Sequence, residues 1–198
     1  VSEPPEDARA RRARDTVRVI LAMDPLSDLP RTGWLLRGVR PCESIADHSF
    51  GVALLVMRLI DATRAEGTGV DGERALRMAL LHDAPEARLG DIPSPVKSEA
   101  FDRALGEVER AIVASMWGAD ECALLEELER GTTLESRIVR VADKAHMLAK
   151  AIAYERAGRR GLEGFWERAS TFDPRGIPAA DALFDALCEA SGRGRPRA

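Results

Sequence analysis

Apolar positions recur at helical spacing over most of this 198-residue chain. After a polar leader, Val1–Pro5, the segment Ala8–Met23 carries Val17, Ile20 and Leu21 on one stripe behind an Arg-rich start, and reads as a first helix. Asp24–Arg31 holds two prolines and reads as a loop. Arg31–Glu43 is a polar connector with Trp34, Leu35 and Leu36 embedded in it. Ile45–Ala65 predicts a long helix with the stripe Ile45, His48, Val52, Leu55, Leu59, stopped by Gly67. Asp71 caps a further predicted helix that runs to about Ala87 and ends before Gly90. The prolines of Asp91–Val96 (DIPSPV) exclude regular structure there.

Ser98–Trp117 and Asp120–Arg130 predict two more amphipathic helices. Thr132 with Glu135 forms a capping-box pattern ahead of a helix from about Leu134 to Tyr154. Shorter helices are expected near Leu162–Ala169 and Ala179–Ala190. The basic tail Ser191–Ala198 (SGRGRPRA) is expected to be disordered. No strand-like alternation is long enough to build a sheet, so the expected fold is an all-α helical bundle. Residues 1–30 would form an N-terminal helix and loop packed on a core domain spanning 31–190.

Composition narrows the function. Hydrophobic residues make up 45% and charged residues 31%, as in ordinary globular proteins. A net charge of −4 gives no overall pull toward a nucleic acid polymer or an anionic membrane. An aromatic fraction of 5% argues against a base-stacking surface. Cys42, Cys122 and Cys188 lack paired spacing, which fits reduced thiols and a cytoplasmic setting. No secretory signal is expected, and no apolar run is long enough to span a bilayer.

The candidate chemistry sits where polar residues interrupt apolar helix faces. The chain has three histidines, His48, His82 and His146, and all fall in predicted helices. The dyad His82-Asp83 follows the mostly apolar Arg77–Leu81, and Asp143 lies within the largely apolar Ile138–Leu148. A buried carboxylate is costly unless it is paired or metal-bound. Neighbouring helix positions differ by about 100° around the axis, so adjacent ligands can straddle one cation between helices. Two imidazoles and two carboxylates suit a first-row divalent metal or magnesium. Glu86, placed on the dyad's helix face, and Asp91, just past Gly90, could orient water and protonate a leaving oxygen. Arg31, Arg37 and Arg40 upstream of His48, and Lys97 after the proline turn, are candidate phosphate grips. Trp34 could wall off a sugar or base, or could plug the core.

These residues resemble the HD-domain phosphohydrolase superfamily, and more closely its 5'-deoxynucleotidase (YfbR-like) subgroup. The resemblance rests on RTGWLLRGV (31–39), ESIADHSF (43–50), ALLHDAPEARLGDIPSPV (79–96) and VADKAHMLAKAIAYE (141–155). It implies an all-α HD-domain bundle, usually dimeric, with one divalent metal (Mn, Co, Fe, Mg or Zn) between helices. By that resemblance His48, His82, Asp83 and Asp143 bind the metal, and Glu86 and Asp91 serve catalysis. Trp34 would help select the 2'-deoxy sugar, and the substrates would be deoxyribonucleoside 5'-monophosphates. Two positions depart from the pattern. Gly33 stands where some members carry a substrate-binding arginine, leaving that work to Arg31 or Arg37. His146 stands where relatives carry an acidic or other residue. Other reaction classes are a two-iron oxygenase, which needs more histidines than His146 alone can add, and a non-catalytic metal module, against which the Glu86–Asp91 pair argues. Hydrolysis of nucleoside triphosphates or cyclic nucleotides by the same residues is the remaining alternative.

Overall fold

A computed structural model describes residues 6–93 and 99–196. Among them nine α-helices form the fold, with no strand and one isolated bridge between Pro30 and Ser44. The helices are α1 (Glu6–Met23), α2 (Thr32–Leu35), α3 (Ile45–Ala65), α4 (Gly72–Leu81), α5 (Glu86–Leu89), α6 (Glu99–Met116), α7 (Ala119–Arg130), α8 (Leu134–Arg156) and α9 (Pro178–Ser191). No helix is long and apolar enough to cross a membrane among the described residues.

The long helices α3 and α8 lie against each other at the centre, and α4 packs on both. Their shared face is apolar: Val52, Val56 and Leu59 from α3 meet Met78 and Ala79 from α4 and Ile138, Val141 and Leu148 from α8. The fully buried Ala142, Ala145 and Ala151 let neighbouring backbones come close along α8. Burying each large side chain contributes roughly 1.5–3 kcal/mol. That pair of helices is therefore the rigid frame on which His48 and Asp143 are mounted.

Local chemistry sets the helix ends. Ser44 caps α3: its hydroxyl accepts from Asp47 N at 3.0 Å, and Ser44 N donates to Asp47 Oδ2 at 2.9 Å. This fixes the first turn, and with it the position of His48. Gly67, at φ 84°, follows the end of α3. Asp71 caps α4 by accepting from Arg74 N at 3.0 Å.

Several elements differ from the sequence expectation. The helix expected from Asp71 to Ala87 breaks after Leu81, because Pro85 lacks the N–H that would bond back to the Leu81 carbonyl. The chain turns through His82–Pro85 before α5 begins. The cap of α8 is Thr133 rather than Thr132, and its hydroxyl accepts from Ser136 N at 3.2 Å. Glu135 instead accepts from Asp71 N at 2.8 Å. The helix expected over Leu162–Ala169 is two separate 3-10 turns, Glu163–Phe165 and Ala169–Phe172. The connector before α3 contains the short helix α2.

The two ends of the chain also differ. Val17, Ile20 and Leu21 of α1 face outward, each more than half exposed. Helix α1 meets the rest of the protein through Met23, the following turn and α6. The tail expected to be disordered is packed as far as Arg195. Arg193 pairs with Glu155 at 2.9 Å and lies over the Trp166 ring. Arg195 pairs with Asp181 at 2.7 Å and lies over Phe184. Charge and cation–π contact outweigh the disorder-prone composition here.

Candidate metal centre

His48 enters from α3, His82 from the end of α4, Asp83 from the turn after it and Asp143 from α8. His48 is 1% exposed. Its Nε2 lies 3.2 Å from Asp143 Oδ1 and 3.9 Å from Asp83 Oδ2. His82 Nε2 lies 3.1 Å from the same Asp83 oxygen. His82 Nδ1 is 2.7 Å from the Ala79 carbonyl, to which it can only donate. That contact places the ring proton on Nδ1 and leaves the Nε2 lone pair facing the carboxylates.

The fit to a cation rests on these atoms. Both His48 Nε2 and His82 Nε2 are buried without a hydrogen-bond partner. Ligand atoms of His48, His82 and Asp83 all lie within 4.8 Å of one another. Glu43, His48 and His146 meet the same distance test. In that second group, Glu43 Oε1 and the facing Nδ1 atoms of the two histidines already have partners, however. Glu43 Oε1 accepts the Trp34 indole N–H at 2.7 Å, with Lys150 3.7 Å from its other oxygen. His146 Nδ1 lies 2.9 Å from His48 Nδ1, on the side of the ring away from the carboxylates. The His48–His82–Asp83 side, extended by Asp143, is the better candidate to hold a metal ion.

Arg31 crosses the same space. Its guanidinium is 3.0 Å from Asp83, 3.6 Å from Asp91 and 3.7 Å from Glu86. Lys144 reaches Asp143 at 3.0 Å. Four carboxylates thus face two cationic side chains, and a divalent cation would offset the difference. Burial opposes charge on the His82 ring, but Asp83 beside it and Asp143 beyond outweigh burial and raise its pKa. Burial likewise works against ionised Asp83, yet His82, Arg31 and His48 hold it well below the usual carboxylate range. Asp143 is also held well below that range, with Lys144 and His48 overcoming burial. Burial, then the charges of His48 and Lys150, push His146 down to about 4.

Glu86 opens α5 and Asp91 follows the Gly90 stop, so the break at Pro85 turns both back toward the dyad. Asp91 Oδ2 accepts from Thr32 N at 2.6 Å, and the Thr32 hydroxyl donates to the Asp91 carbonyl at 2.8 Å. This clamp fastens the segment carrying Arg31 and Trp34 over the site. A cavity of about 380 Å³ opens there, lined by Arg31, Arg37, Asp83, Glu86, Asp91 and Asp143 among others. Trp34 is 3% exposed and reaches this cavity only as a wall. Arg37 lies over the Phe165 ring at 5.8 Å. Lys97 lies outside the described residues, and Arg40 is not among the residues that line the cavity.

Sequence reasoning missed Lys144, Phe165 and Arg168, which also line the cavity. Lys144 had a readable signal, a cation directly after a carboxylate in an apolar helix. Phe165 and Arg168 had none, because the turns that bring them round were read as a helix.

Residues 23–179 match the HD domain, and the chain belongs to that family. The 5'-deoxynucleotidase YGK1 of Saccharomyces cerevisiae is 34% identical over 146 residues, covering 68% of this chain and 65% of that protein. The matched region thus spans just under two thirds of YGK1. The 5'-deoxynucleotidase hdd1 of Schizosaccharomyces pombe is 32% identical, covering 77% of this chain and 81% of that protein. The crystal structure of the PH0347 protein from Pyrococcus horikoshii OT3 superposes with a TM-score of 0.77 at 35% identity, covering 89% of this chain and 98% of that one.

Proposed function

We propose that the protein is a metal-dependent phosphohydrolase that removes the 5'-phosphate from a deoxynucleoside monophosphate or a modified nucleotide. The observation that carries this reading is the pair of buried nitrogens without a hydrogen bond, His48 Nε2 and His82 Nε2, facing Asp83 and Asp143 beside a cavity lined by carboxylates and by Arg31, Arg37 and Lys144. The 5'-deoxynucleotidase names of the two yeast relatives support it.

His48, His82, Asp83 and Asp143 would hold one divalent cation, with Mn, Co, Fe, Mg and Zn all compatible with the donor set. When bound, such a cation lowers the pKa of water toward about 7 and offsets charge on phosphoryl oxygens. Arg31, Lys144 and Arg37 supply fixed positive charge for the substrate phosphate. Glu86 and Asp91 are the carboxylates left to move protons, one taking a proton from the attacking water and the other giving one to the leaving 5'-oxygen. Trp34 and Phe165, 4.4 Å apart between ring centroids, form the apolar wall against which a nucleoside would rest.

A panel of nucleoside mono-, di-, tri- and cyclic phosphates, run with each of the five metals and read as free phosphate, tests the assignment. Release from 5'-deoxynucleoside monophosphates is expected. Turnover confined to triphosphates or cyclic nucleotides would move the reading to the alternative chemistry. No release from any monophosphate with any metal would overturn it.

We further propose a homodimer in the cytoplasm. Phe50, Leu54 and Met57 make an exposed apolar stripe at helical spacing on α3, which supports an interface between copies. Three free thiols, Cys42, Cys122 and Cys188, support a reducing compartment. Sedimentation of the purified protein checks the first point.

A further inference from the structure

His48 and His146 face each other through their Nδ1 atoms at 2.9 Å, with ring centroids 4.9 Å apart in an edge-to-face arrangement. Two ring nitrogens at that distance share one proton: one donates and the other accepts. The choice follows from the other side of His48. A nitrogen that ligates a cation does so through its lone pair, so a His48 bound through Nε2 carries its proton on Nδ1. His48 Nδ1 is then the donor and His146 Nδ1 the acceptor, and the remaining proton of His146 sits on its Nε2.

The backbone makes room for this contact. Gly51 lies three residues after His48 on α3, and His146 lies three residues after Asp143 on α8. A Cβ at position 51 would stand 2.0 Å from His146 Nε2 and 2.3 Å from its Cδ2. No side chain fits there while the ring keeps its place. A glycine inside a helix is destabilising against alanine, and α3 carries that cost at the position where the ring needs the space.

We propose that His146 is a positioning residue of the metal centre, accepting the Nδ1 proton of His48 so that the Nε2 lone pair stays aimed at the cation, in a recess that Gly51 keeps open. This rests on the assignment of His48 as a metal ligand. Residues that orient a ligating histidine are worth about 10- to 100-fold in metal affinity when removed. They act without touching the cation.

The test is zinc affinity, measured by competition with a chromophoric chelator on the full chain, beside thermal melting of the metal-free protein. His146→Leu removes the acceptor at similar volume, and about 10- to 100-fold weaker zinc binding is expected. His146→Asn keeps an oxygen near the Nδ1 position and should restore affinity close to that of the wild type. Gly51→Ala, which displaces the ring, should weaken zinc as His146→Leu does, but should cost nothing further in a His146→Ala background. Unchanged affinity in His146→Leu, an Asn variant as weak as the Leu variant, or a full Gly51→Ala penalty without His146 would each overturn the proposal. If His146→Leu does not fold, the Gly51→Ala comparison decides alone. Failure of the folded wild type to bind zinc stoichiometrically would overturn the metal assignment itself, and His146's role with it.

Discussion

Trp34 donates its indole N–H to Glu43 Oε1 at 2.7 Å, and both side chains are buried. Glu43 N in turn donates to the Tyr154 hydroxyl at 2.7 Å, which joins the segment over the cavity to α8. Trp34 is therefore a structural anchor whose ring also forms a cavity wall. Trp34→Phe keeps an aromatic wall but leaves a buried carboxylate oxygen without its donor. A loss of about 1–3 kcal/mol in unfolding free energy is expected, read by urea denaturation, together with a fall in kcat/KM.

Glu86 and Asp91 stand beside the candidate metal site, both within reach of Arg31, and are proposed to move protons rather than to bind metal. Glu86→Gln and Asp91→Asn should each lower kcat by about 10²- to 10⁴-fold. Metal content, read by elemental analysis of the dialysed protein, should stay at the wild-type level. A loss of metal in either variant would make that carboxylate a ligand instead.

Chelation should abolish phosphate release, and added divalent metal should restore it. If His48, His82, Asp83 and Asp143 hold the cation as proposed, it binds only their folded arrangement and should also stabilise the fold. Free metal at 100 times its dissociation constant is worth about 2.7 kcal/mol, visible as a rise in Tm. His48→Ala should show neither the rescue nor the rise.

Glu127 ties α7 to α4 and to the start of α8. It accepts from Arg74 Nε at 2.9 Å and from the Thr133 hydroxyl at 2.7 Å. The Arg74 bonds, helped by Thr133 and working against burial, hold its carboxyl below the usual glutamate range. A depressed folded-state pKa contributes stability above the unfolded value of 4.5, lost as pH falls through the folded one. The wild type should therefore lose stability on acidification more steeply than Glu127→Gln below about pH 4.5. Parallel urea midpoints across pH 3–7 would measure the difference, and coincident slopes would contradict it.

The frame and the residues that cluster at the candidate site are legible because their signals are local. Ile45–Ala65 carries its apolar stripe, its cap and its glycine stop in consecutive residues, and the helix has those bounds. His82-Asp83 and Asp143 stood out as polar residues in apolar surroundings. Pro85 was equally visible, but the apolar periodicity on either side of it masked the break, although one missing N–H is enough to end α4. The packing of Arg193 and Arg195 could not be read locally, since their partners Glu155, Trp166, Asp181 and Phe184 are set by the tertiary fold. His146 was visible only as a histidine near an aspartate. The meaning of Gly51 emerges only when α3 and α8 are laid side by side.

The two hydrogen bonds between Thr32 and Asp91 have a consequence for how this site can change over evolution. Asp91, the proposed proton carrier, is also a mooring for the entrance segment, so it cannot be traded for another residue without unsettling the entrance as well. An alanine at 91 would merge two losses in one number, whereas asparagine would keep the mooring and remove only the acid. Phe165 and Arg168 line the same cavity and carry no proton in the proposed reaction, so selectivity can drift there without touching the chemistry.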